Sequence, residues 1–413
     1  MKYDTIIIGG GLSGLVAGLS LVKENQKVAI VSLGQSALHF SSGSFGLLGA
    51  VDGKEVEKPL DAMASLDAKH PYSILGTDRV KELAAKVKPF FADAGISLNG
   101  DEKANAKRLT PMGGLKPCWL TLDGFVTGAD IAKMKKAVVV SVEGFLDFYP
   151  DFVAEGLRKL GVDATTEIVT FHEINRLRKS TAEMRATSIG RQLKGEAIKQ
   201  FADAINNVIS GADAVLIPAV AGMDNDKAFN ELRSLVKKPL YCVATTPMSV
   251  AGSRMQTQLR RRFEALGGTY LLGDKVLSGH FADNGKLEYV QTVNLSDDRL
   301  YADNFVLASG GFFGQGIVAE PHQIREVVLG VDVEVDGDRD KWFDKDFFGT
   351  QPYMKFGVEP DAAFHPRKDG KTIDNVYAVG AVLGGYDALK EESGAGVAIL
   401  SALHAAEQIA KKK

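Results

Sequence analysis

Gly9, Gly10, Gly11 and Gly14 have the spacing with the clearest chemical meaning in this sequence. In the pattern Gly9-x-Gly11-x-x-Gly14, the first glycine permits a tight turn and the second lets backbone approach a phosphate. The third lets a helix pack closely on a strand. A phosphate held there faces the N–H groups of a helix N-terminus, whose partial positive charge favours an anion. The acidic residue that bonds an adenosine ribose at the end of the second strand is replaced by Ser32, in Val31-Ser32-Leu33. A serine offers a hydrogen bond but no carboxylate, so the pattern supports phosphate binding more directly than adenosine binding.

Periodicity predicts the elements that must position this turn. Asp4–Ile8 reads as a short buried strand, Leu12–Glu24 as a helix with Leu15, Leu19 and Val22 on its apolar face, and Lys27–Val31 as a second strand. Together they make a βαβ unit of about thirty residues. A polar, glycine-rich loop follows at Gln35–Gly46. Ala137–Val142, Ala214–Pro218 and Leu240–Ala244 then read as strands, and Asp151–Leu160 and Asp226–Leu235 as helices, which predicts a second α/β layer inserted into the first. The first domain resumes with a helix at Gln256–Leu266, strands at Thr269–Leu272 and Tyr301–Ala308, and a last helix at Gly396–Ile409. The expected organisation is a discontinuous domain of residues 1–50 and 245–413, with residues 51–244 as the insert.

Composition excludes several classes. The 413 residues carry 45% hydrophobic content, enough for sizeable cores, and a net charge of −3, which gives no basic field for nucleic acid. Cys118 and Cys242 are too few for a disulfide framework, a four-thiolate zinc site or an iron–sulfur cluster. No metal-ligand spacing and no Ser-His-Asp arrangement is recognisable. Met1-Lys2-Tyr3-Asp4 leads straight into a strand without signal-peptide features, and no run of eighteen apolar residues provides a transmembrane segment. A cytoplasmic location is expected. The acidic stretch Asp332–Asp346 carries interspersed Lys and Arg and reads as a solvated loop.

Three further motifs bear on the ligand. Ala302–Gly311 resembles the strand-and-turn element of two-dinucleotide-fold flavoproteins, with Ser309 in place of threonine before Gly310. Asp374–Ala381 resembles their flavin-ribityl motif, with Ala381 after Gly380 where aspartate is usual. Glu392–Val397 opens the last helix, where the N–H groups of Gly394 and Gly396 either face a reduced flavin and stabilise its charge or merely cap and pack the helix. The expected fold is α/β: a two-dinucleotide-binding-fold flavoprotein, Rossmann-like, with an inserted second α/β domain.

Tyr3–Gly14, the loop Gly34–Ser44, Ala308–Phe313, Ile324-Arg325-Glu326, Ala381–Gly385 and Ser401–Ala406 together resemble the flavoprotein B subunit of anaerobic glycerol-3-phosphate dehydrogenase, over essentially the whole length. The resemblance implies a flavin, FMN in that family, with FAD as the alternative. It implies two partners: the catalytic subunit, which contains FAD, and the membrane-associated iron–sulfur subunit. The assembly oxidises sn-glycerol 3-phosphate to dihydroxyacetone phosphate and passes electrons to quinone, so the chain is expected at the inner face of the membrane through its partners. Ser36, His39, Ser42 and Gly43 are the loop's cofactor-site candidates, with His39 placed against the flavin ring. Pro247-x-Ser249-Val250-x-Gly252-x-Arg254 resembles a loop lining flavin sites. Arg254 is a candidate for an anionic group or a surface ion pair; Arg325 and His365 are candidate anion or proton partners, or buried structural hydrogen-bonding residues. Two alternatives remain at this point: an independent FAD-dependent oxidoreductase of the fumarate reductase type, and a non-catalytic scaffold with a degenerate flavin fold.

Overall fold

The computed structural model describes residues 1–295 and 298–412. Strand β1 (Lys2–Ile8) leads through the glycine turn into helix α1 (Leu12–Lys23) and strand β2 (Val28–Ser32). Helix α2 (Thr77–Asp93) follows. The chain then alternates through β3 (Lys136–Val142), α3 (Pro150–Lys159), β4 (Asp163–Val169), α4 (Glu196–Asn206), β5 (Ala214–Pro218), α5 (Lys227–Leu235) and β6 (Leu240–Val243). It ends with α6 (Val250–Ala265), β7 (Thr269–Leu272), β8 (Val276–Phe281), β9 (Leu287–Thr292), β10 (Leu300–Leu307), β11 (Val376–Ala378) and α7 (Gly394–Lys411).

Two units result. One comprises Met1–Ala37, Gly46–Pro89 and Leu259–Lys413, and the other Leu38–Phe45 and Phe90–Gln258. These limits differ from breaks at 50 and 245, because Gly46–Pro89 packs with the first unit while Leu38–Phe45 goes with the second.

The first unit is organised by one sheet in the order β7-β2-β1-β10-β9-β8, with β11 pairing β10. Strands β7, β2, β1, β10 and β11 are parallel, with Ile8 opposite both Val31 and Leu307, and Leu307 opposite Ala378. Ile6 and Ile7 are fully buried, as befits a central parallel strand covered on both faces. Helix α1 lies close because Gly14 and Gly18 lack side chains: a Cβ at Gly18 would sit 2.7 Å from Ile30 Cδ1. The carboxyl ends of β2, β1, β10 and β11 therefore lie side by side, the edge at which such sheets receive ligands.

The second unit is built on a parallel sheet in the order β4-β3-β5-β6. Helices α3, α4 and α5 bury Val153, Leu157, Ile198, Phe201, Ile205, Phe229 and Leu232 within its core. A small antiparallel sheet joins Ser44–Phe45, Leu120–Leu122 and Leu98–Gly100.

Candidate functional site

Gly9 adopts a φ of +115°, and a Cβ there would strike the carbonyl oxygen of Ala308. Its N–H donates to Val31 O at 2.9 Å, and the Ala308 N–H donates to Ile8 O at 2.9 Å, so the turn is stitched between β2 and β10. A Cβ at Gly14 would strike Gly9 O, so the helix rests on its own entry turn. Gly11 is different. Its backbone is extended (φ −78°, ψ −171°), and the nearest heavy atom to an added Cβ is Ser36 Cβ at 3.7 Å. Among the described residues nothing crowds this position enough to require glycine. Helix α1 begins with no side-chain cap and no acidic residue in its first turn. Its terminal N–H groups thus keep their partial positive charge for an anion.

The end of β2 is occupied by a tyrosine that no local pattern singles out. A Cβ at Gly10 would strike the Tyr270 hydroxyl and Ser32 Oγ. Tyr270, from β7, donates to Gly10 O at 3.3 Å, while Ser32 is buried and donates to Gly34 O at 3.2 Å. The Arg260 guanidinium lies 4.7 Å from the Tyr270 ring centroid. The place of the absent carboxylate is thus taken by two hydroxyl groups. Only the pairing of β7 with β2, which sets Tyr270 opposite Ile30, brings the tyrosine there.

The turns after β10 and β11 abut. A Cβ at Gly311 would lie 2.6 Å from Ala381 O. Gly310 adopts a φ of +88°. Ser309 Oγ is buried and has no hydrogen-bond partner among the described residues. A buried hydroxyl without a partner calls for one, and a ligand can supply it. Gly380 has a packing reason for its glycine: its N–H donates to Ser401 Oγ at 3.0 Å, and a Cβ would lie 2.8 Å from Ser13 Cβ. It seats α7 against α1.

The sequence pattern leaves the N–H groups of both Gly394 and Gly396 free to face a cofactor; the structure corrects this for Gly396. That N–H donates to Gly46 O at 2.9 Å. Gly394 occupies the first position of α7, with Ala388 Cβ 3.1 Å from where its Cβ would be.

In the second unit the His39 loop and the start of α6 come together. The Ser249 N–H donates to His39 O at 2.9 Å, and Ser249 Oγ donates to Ser41 O at 2.5 Å. A Cβ at Gly252 would strike Leu38 O. Ser42 Oγ and Ser44 Oγ are 2.9 Å apart, and Gly43, at φ +78°, lies beneath the Phe125 ring. Arg254 is 8% exposed, and its Nη1 donates to Gly222 O at 3.2 Å. Among the described residues it has no carboxylate within ion-pair distance, so it is not a surface ion pair. Burial lowers its pKa, which marks a guanidinium that an anion would stabilise. Thr245 Oγ1, buried without a partner in the same unit, carries no sequence signature.

Arg325 moves the other way. It is 47% exposed and bonded to Glu320 at 2.8 Å, a surface pair and not a buried structural group. His365 is buried, with Nδ1 2.8 Å from Val376 O, which is a structural use.

The family model of the FAD binding domain matches residues 4–397. The B subunit of anaerobic glycerol-3-phosphate dehydrogenase from Pectobacterium atrosepticum is 39% identical over 419 residues, covering 100% of this chain and 99% of its own. The protein of the same name from Yersinia enterocolitica is 40% identical over 423 residues, covering 99% of this chain and 98% of its own. Among solved structures, 3-ketosteroid delta1-dehydrogenase from Sterolibacterium denitrificans aligns over 100% of both chains at 12% identity, with a TM-score of 0.46.

Proposed function

Because this chain belongs to the FAD binding domain family and to the B subunits of anaerobic glycerol-3-phosphate dehydrogenases, we propose that its flavin is FMN and that it works beside two other subunits, one catalytic and containing FAD, the other carrying iron–sulfur clusters. The chain is the flavin-binding subunit of an oxidoreductase of several subunits acting on glycerol 3-phosphate. Among the described residues no helix is long and apolar enough to cross a membrane. Membrane association through the partner subunits belongs to the same proposal.

The observation that carries the cofactor assignment is the open face of Gly11 at the uncapped start of α1. The residues present fit a flavin phosphate. Gly11 admits it, the first N–H groups of α1 bind it, and Ser309 Oγ offers an unused hydrogen bond to the ligand. When bound, the flavin supplies reversible two-electron chemistry. In the second unit Arg254 offers a cation for an anionic group, and His39, Ser42 and Gly43 belong to the loop packed on the start of α6. Ser32 and Tyr270 at the end of β2 support FMN over FAD, because neither offers the carboxylate that an adenosine ribose commonly takes.

Purified protein is the test. Its flavin absorbance gives occupancy, and acid release followed by mass measurement identifies the flavin. FMN at one per chain is expected. FAD would overturn the mononucleotide assignment, and a colourless, fully folded protein would favour the scaffold reading. Isolated chain should show little quinone-linked turnover of glycerol 3-phosphate, and reconstitution with the other subunits should restore it.

A further inference from the structure

Phe347 and Phe348 are each 83% exposed, more than any other large hydrophobic side chain among the described residues. Their rings are 5.3 Å apart, centroid to centroid. Phe343, at 53% exposed, lies in the same loop, and Lys390 Nζ donates to Phe348 O at 3.2 Å.

The loop that carries them is tied together by its own hydrogen bonds. Trp342 Nε1 donates to Asp336 O at 2.7 Å, Gln351 accepts from the Asp344 N–H at 3.0 Å and donates to Asp346 O at 2.8 Å, and the Tyr353 N–H donates to Trp342 O at 2.9 Å. From residue 327 to residue 375 no helix or strand exceeds four residues. So long a stretch held by only such short elements is uncommon in a folded domain unless it has a task. This one is pinned so that two phenylalanines stay in water, each able to bury about 150 Å² or more on contact.

Charge decides the partner. Between Asp332 and Phe348 there are seven carboxylates and three basic side chains. An anionic lipid surface would be repelled, whereas a protein surface with a basic rim would be attracted. We propose that the Phe347–Phe348 face is the docking surface for another subunit of the same enzyme, one presenting an apolar socket rimmed by lysine and arginine. The proposal rests on the reading of this chain as one member of a complex.

The test uses the full chain, tagged and co-expressed with the other subunits of its dehydrogenase. F347S/F348S should leave melting temperature and flavin content unchanged and weaken association between the subunits by about 30-fold or more, the loss expected of a central aromatic anchor. D340K is an independent probe, because the Asp340 carboxylate is exposed and has no partner among the described residues. It should weaken association several-fold and flatten its salt dependence. Wild-type association in F347S/F348S overturns the proposal. So does a variant that keeps its subunits but no longer sediments with phosphatidylglycerol vesicles, which would make the face a membrane contact. Wild-type chain that recovers none of the other subunits would overturn membership of a complex itself, and the docking surface with it.

Discussion

The N–H of Gly396, in the first turn of α7, donates to the carbonyl oxygen of Gly46 across 2.9 Å, although 350 positions separate the two residues. The Tyr72 hydroxyl, bonded to Leu47 O at 2.8 Å, fills the space that a Cβ on residue 396 would need. Gly396→Ala should therefore destabilise the fold by about 1–3 kcal/mol through overpacking. Removing the obstructing hydroxyl should relieve it: G396A/Y72F should unfold at higher urea than additive single effects allow. Strict additivity would mean that residues 72 and 396 do not press on each other.

The glycine turn permits a sharper comparison, since its members lack side chains for different reasons. Gly11→Val should leave the flavin-free protein within about 0.5 kcal/mol of wild type, because nothing crowds the position. Flavin should be lost. Gly10→Ala should destabilise the flavin-free protein itself, because its Cβ meets Tyr270 and Ser32. Urea melts of both apoproteins, beside flavin occupancy, check the pair. Full occupancy in Gly11→Val would remove the phosphate site from this turn.

Ser309 Oγ is buried without a partner among the described residues, so Ser309→Ala should not destabilise the apoprotein. It should weaken flavin binding by roughly five- to tenfold, the worth of one ordinary hydrogen bond. Fluorescence titration of apoprotein with flavin is the measurement. Unchanged affinity would mean that the hydroxyl does not meet the ligand.

Acid should loosen the contact between α2 and α7. Arg79 bonds Glu82 and Glu407, and Lys86 bonds the same two carboxylates at 2.7 Å and 3.0 Å. The hydrogen bond from Arg79 leads in pushing the Glu82 carboxyl from 4.5 down to about 2. Burial pushes Glu407 up, but Arg79 and Lys86 outweigh it and hold it below its ordinary value. Both folded-state values lie below the unfolded ones. The stabilisation is therefore complete above about pH 4.5 and is lost as pH falls toward about 2. E82Q/E407Q should lose less stability than wild type between about pH 5 and pH 3, in melts at low salt. Parallel curves would mean that the network contributes nothing measurable, as exposed pairs often do.

The sequence by itself determined the elements whose signals are local. Spacing of glycines and apolar residues over about thirty positions fixes the βαβ opening. Ala214–Pro218 and Thr269–Leu272 occur with the ends that their patterns predict, since short apolar runs rich in β-branched or aromatic residues and bounded by turns have one economical reading. Helix α2 escaped because Pro89 interrupts it near its end, and β4 because its Asp-Ala-Thr-Thr-Glu start is polar at a sheet edge. Only the tertiary structure decided which candidate side chains are buried and what each one meets. Arg254 and Arg325 look alike as sequence, yet one is sealed against Gly222 and the other pairs with Glu320 in water. Tyr270 reaches Gly10, and Gly46 takes the N–H of Gly396, through strand order and helix packing that join residues hundreds of positions apart. Burial and hydrogen-bond partners depend on such distant neighbours, and no local window of sequence contains them.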